Sequence, residues 1–255
     1  MVAGVALSCP REKAPMSLSV AALLIAACLA AIHIFVSQMR VLSGVPRSRW
    51  LSAAGGAAVA YIFLHLLPDL AAAHRRAGVD SETLYFVIAL VGLVAFYGVE
   101  RRVRLARGSS GESSTGADEK AGGVFWLHVG SLTLYNLIIG YLLLHREEAG
   151  LASLLLYGGA MGLHFLSNDY GMQLDHPRVY NSTARWILAA AILLGWLAGW
   201  MLEVPRTIVD GLFAFLAGGV VLNVMKEELP EERKSRFDAF LLGVMGYGAL
   251  LLALG

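Results

Sequence analysis

"AAGGAAVAYIFLHLLPDL", residues 53–70, decides how this chain is read. It opens on a glycine pair, continues as an apolar run long enough to cross most of a bilayer, and closes on His65, Pro68 and Asp69. A helix end facing lipid needs none of those three residues. A second stretch, "LAGGVVLNVMKEELPEE" at residues 216–232, repeats the order of glycine pair, apolar run and Leu-Pro-acid. Gly56 precedes Pro68 by the same interval that separates Gly218 from Pro230. If the first copy ends on one side of a membrane and the second on the other, the two run in opposite directions, as the halves of inverted-repeat transporters do. The plainer alternative is that proline ends helices and glycine pairs admit close neighbours.

Working outward, the chain has 255 residues, of which 57% are hydrophobic and 15% charged. Soluble domains carry roughly 25% charged residues. Eight apolar runs of about the length a bilayer requires fall at 17–37, 51–70, 83–99, 124–144, 151–170, 184–202, 207–225 and 237–254. The expected fold class is therefore all-α: a polytopic membrane helical bundle of eight transmembrane helices with a 3+2+3 inverted repeat, forming one domain over 1–255. Residues 100–123, rich in Ser, Gly and charge, are expected as a flexible cytoplasmic loop. Arg11 and Lys13 ahead of an apolar run ending at Cys28 resemble a signal peptide, but the run continues past Cys28 and reads as a retained first helix. Cys9 and Cys28 are too few and too close to suggest a disulfide framework or a thiolate metal site.

Of the 20 Lys and Arg residues, fourteen lie on the side of the loops after spans one, three, five and seven. By the positive-inside bias that side is cytoplasmic, and both termini are expected on the non-cytoplasmic side. The expected location is an integral plasma (inner) membrane, and compact loops fit a bacterial one. No basic patch with interleaved aromatics suggests nucleic acid.

Polar residues inside the spans carry the functional signal, because unpaired polar or charged groups are costly at hydrocarbon depth. Span five holds the densest set, "GLHFLSNDYGM". His164 and Asn168 share a helix face, and Asp169 lies about 140° round from His164. Asn136 sits within span four, one turn before Gly140, which would let a neighbouring helix approach the amide. His65 and Asp69, spaced i and i+4, form either a weak outer access site for a divalent ion or an ordinary helix-end pair. Asn223 is expected to be buried in span seven, and Glu227, Glu228, Glu231 and Glu232 crowd its end, most of them as a solvated face. His128 reads as interfacial, and His33 as a packed side chain without a partner.

These features together resemble the Zrt/Irt-like (ZIP) family of divalent-metal transporters: eight spans, both termini outside, a long loop after span three, "FLHLLPD" ending span two and "MKEELPEE" ending span seven. By architecture the resemblance covers essentially the whole chain. It implies inverted pseudo-symmetry between the first and last three helices and a metal site between spans four and five. It also implies movement of zinc or iron toward the cytoplasm by an elevator-like motion. The family's span-four pattern His-Asn-x-x-acid-Gly falls on "YNLIIG", where Asn136 and Gly140 agree and Tyr135 and Ile139 replace the His and the acid. Its span-five pattern His-Glu-x-Pro-His-Glu falls on "HFLSND". His164 is retained, Asn168 and Asp169 stand for the second His and last Glu, and Phe165 and Ser167 replace Glu and Pro.

The resemblance implies His164 and Asp169 as principal ligands and Asn136 and Asn168 as auxiliary ones. His65 and Asp69 would be an outer access pair, and Glu227 or Glu228 an inner exit. Such a set supports one metal with water completing its shell, not a bridged pair. The expected role is a transporter, not an enzyme, with no permanent cofactor. Its partners are the lipid bilayer and a divalent metal ion such as zinc, and a homodimer stays open. Two alternatives remain: a transport-incompetent relative with a structural or regulatory role, and a b-type cytochrome using His33, His65, His128 and His164.

Overall fold

The computed structural model describes residues 16–39, 49–77, 83–109, 115–146, 150–228 and 236–254, and among them all regular structure is helical. Helix α1 is Met16–Phe35, followed by a 3-10 turn at Val36–Gln38. Helix α2 runs Arg49–Tyr61, widens into a π-helical turn at Ile62–Leu66 and resumes at Leu67–Ala77. Helices α3, α4 and α5 are Leu84–Ser109, Thr115–Leu142 and Leu151–Asp175. Helix α6 starts with the turn Pro177–Val179, passes through a π-helical turn at Tyr180–Ala184 and continues as Arg185–Met201. Helices α7 and α8 are Arg206–Glu228 and Phe237–Leu254.

Two boundaries differ from the sequence reading. Span two does not stop at Pro68: proline lacks an N–H and its ring crowds the carbonyl four residues back, and here the backbone relieves that clash by widening over one turn and then continues. The stretch expected as a loop at 100–123 is helical through Ser109 and again from Thr115, because Ala, Leu, Arg and Lys there favour helix. Residues 110–114, Arg11, Lys13 and Pro230 lie outside the described residues.

Seven of the eight helices are long and apolar enough to cross a membrane; the exception is α5. Outward faces carry large apolar side chains such as Phe63, Leu90, Leu194, Trp200, Leu242 and Leu252, which only acyl chains would cover comfortably. The chain is a multi-pass helical membrane protein. Its core gathers Tyr61, Tyr135, Ile139, Leu142, Phe165 and Ile192 around α5, whose residues from Ala160 to Tyr170 are all buried or half-buried.

Helix α2 packs on α8 and α3 on α7, while α1 packs on α5 and α6, and α4 on α6. Exchanging helices one to three with six to eight, and four with five, turns this pairing into itself. The two outer crossings share one device. In the α2–α8 crossing a Cβ on Gly56 would collide with the Phe240 carbonyl, and one on Gly243 with the Ala53 carbonyl. In the α3–α7 crossing the corresponding pairs are Gly218 with Ala89 and Gly92 with Phe215. Each glycine meets the backbone of the residue three before its partner glycine. The pairing thus carries the repeat read from Gly56 and Gly218 into the fold.

Candidate functional site

Gly140 places the site. Its missing side chain lets α4 lie against the Ile192 backbone of α6, with Gly195 reciprocally against Leu137. Asn136, one turn earlier on α4, is buried, and its Oδ1 has no hydrogen-bond partner. Tyr135 is fully buried beside it. Its ring lies 5.7 Å from that of His164 on α5 and 5.6 Å from Phe96 on α3. Tyr135 thus faces His164, while Ile139, one turn further along α4, is completely buried.

On α5, His164 is buried with Nε2 unpartnered, Asn168 is half-buried, and Asp169 has no exposed surface. Asp169 Oδ2 accepts hydrogen bonds from Nδ1 of His33 on α1 and, at 2.8 Å, from the hydroxyl of Tyr180 in the π turn of α6. That hydroxyl also stands 3.0 Å from the His33 carbonyl oxygen. Asp169 Oδ1 has no partner. Phe165 fills the space between, its ring 4.5 Å from that of His33.

His33 therefore has the partner that the sequence reading denied it. Nothing local could have shown this: 136 residues separate His33 from Asp169, and only the docking of α1 on α5 joins them. Tyr180, only eleven residues from Asp169, was missed because it lies between the apolar runs read as spans five and six.

His65 and Asp69 do pair, at 3.5 Å between Nε2 and Oδ2. They line a pocket at the end of the bundle where α4 passes to α5, with His145, Arg146, Arg206 and Asp210 around them. Arg206 and Asp210 form a second i,i+4 ion pair at 2.9 Å, a spacing that was legible in the sequence. The His33, Asp169 and Tyr180 group lies toward the opposite end, where α5 passes to α6. Glu227 and Glu228 close α7, but their side chains lie outside the described ones. Lys226, just before them, pairs with Glu100 of α3 at 3.0 Å, and Asn223 is buried as expected.

Among the described residues no three His, Cys, Asp or Glu side chains converge as a group that could hold a metal ion. His164 and Asp169 offer an unpartnered imidazole nitrogen and an unpartnered carboxylate oxygen on one helix, and Asn136 an amide oxygen on the next. No protein-family model matches the chain, and no curated protein is significantly similar to it.

Proposed function

We propose that this chain is a ZIP-like transporter of divalent cations, zinc or a similar ion, with a single reduced site between α4 and α5. One observation carries the proposal: a wholly buried carboxylate, Asp169, keeps one oxygen free of any hydrogen bond in a helix that also presents an unpartnered imidazole. Ionisable groups buried within a membrane bundle are costly and are found along ion and proton pathways. The cation would be admitted past His65 and Asp69, held by His164 and Asp169 with Asn136, Asn168 or water, and released toward Glu227 and Glu228. The charge bias of the loops supports a non-cytoplasmic His65 end, with both termini on that side, and a plasma membrane is the location we propose.

The pairing of helices supports a moving part. Helix α4 packs on α6 and α1 on α5 and α6, while the α2–α8 and α3–α7 pairs flank them, α2 packing on α5 and α3 on α4. An elevator-like motion would carry the first group, with the site, against the second.

A second reading has its own observation. Tyr135 sits against His164 where a further ligand would be needed, and no three-ligand cluster exists among the described residues. On that reading the chain is a non-transporting ZIP-like membrane partner. Uptake of radioactive zinc into proteoliposomes separates the two. Saturable uptake lost in His164→Ala/Asp169→Ala supports transport; folded protein that takes up no zinc, manganese, iron or cadmium supports the alternative.

A further inference from the structure

We infer that His33 and Tyr180 are positioning residues that make Asp169 a one-oxygen donor, and that this sets the site's preference for zinc-like ions over calcium; the second half rests on the cation-transport proposal above. Both side chains donate to the same atom, Asp169 Oδ2, from two different helices. The single Tyr180 hydroxyl proton is shared between Asp169 Oδ2 and the His33 carbonyl oxygen 3.0 Å away, which ties the two donor residues together. All three residues are at most 1% exposed, and water cannot easily replace either donor. The carboxylate can therefore neither rotate nor present both oxygens to a cation, and only Oδ1 is offered.

Calcium takes six to eight oxygen donors and favours bidentate carboxylates. A zinc-like ion is content with about four ligands of mixed nitrogen and oxygen type, a carboxylate commonly giving one. One oxygen of Asp169 and one nitrogen of His164 suit the second class. The donor from Tyr180 is the cleaner one to remove, since phenylalanine keeps the ring that seals the turn.

The test uses the full chain in nanodiscs. Infrared spectra with carbon-13-labelled aspartate compare wild type with Tyr180→Phe and His33→Gln. A shifted carboxylate band in both variants, absent in Asp169→Asn, is expected. Unchanged bands would overturn the clamp whether or not a metal binds. Cobalt binding by visible absorption, with calcium as competitor, then reads selectivity. Wild type should resist calcium, and Tyr180→Phe should need at least tenfold less calcium to displace cobalt while remaining folded. Equal competition in both proteins would overturn the selectivity inference. A shifted band with no Asp169-dependent cobalt binding would instead sink the transport proposal, and the selectivity claim with it, while the clamp stood.

Discussion

Gly56 of α2 and Gly218 of α7 occupy the same place in two separate helix crossings, each lodged against a carbonyl three residues before the glycine it faces. The repeat is thus written in backbone contact, where a side chain of any size is excluded.

Gly56→Ala and Gly218→Ala should consequently destabilise the bundle to similar degrees, by about 1–3 kcal/mol each, because the added methyl forces two backbones apart. Gly98, with open space around its Cα, is the control, and Gly98→Ala should be neutral. Thermal unfolding in detergent measures all three; a harmless Gly218→Ala beside a damaging Gly56→Ala would break the equivalence.

Asp169→Ala and Asp169→Asn should separate folding from transport. Alanine strands the His33 Nδ1 donor in a dry interior, at a cost of about 1–3 kcal/mol for the unsatisfied group, while the Tyr180 hydroxyl keeps the His33 carbonyl as acceptor. Asparagine keeps an acceptor for that donor and should fold nearly as well. Both should lose zinc uptake, since neither supplies an anion. Melting temperature and vesicle uptake on the same preparations decide this.

His65→Ala and Asp69→Ala alter a partly accessible pair, which contributes only about 0.2–1 kcal/mol. Stability should hardly change. If the pair gathers cations at the mouth, the half-saturating zinc concentration should rise several-fold with the maximal rate preserved. A fall in maximal rate alone would exclude that role.

The double change Tyr135→His and Ile139→Asp would add an imidazole and a carboxylate beside His164, the pattern the proposed function calls for. Both positions are essentially sealed, so the variant should be markedly unstable without metal through its unpaired buried carboxylate. Zinc should restore much of the loss, and affinity should exceed wild type by tenfold or more, about 1.4 kcal/mol. The zinc-induced shift in melting temperature reads both effects.

Helix number, order and most limits were legible in the sequence because hydrocarbon thickness dictates the length of an apolar run. The repeat of the glycine pairs was legible because glycine is the only residue that admits those crossings. Pro68 misled about where α2 ends, since its cost is absorbed by one widened turn that leaves no mark in composition. Of the site, His164, Asp169 and Asn136 stood out as polar residues in apolar runs. His33 and Tyr180 did not, because a buried hydrogen bond between two helices has no local period, and the convergence of side chains depends on rotations that residue spacing leaves undetermined.

Helix α5 is the one helix that falls short of the apolarity a free-standing span requires, and it is also the one most enclosed by its neighbours. Its polar residues leave it ill-suited to partition into lipid alone, so during synthesis it must be received by helices already in place. Its contacts with α1 and α2 are formed with segments made earlier, whereas Tyr180 is made only afterwards. Biogenesis would then have an order: a cradle of early helices shelters α5, and the arrival of α6 closes over Asp169.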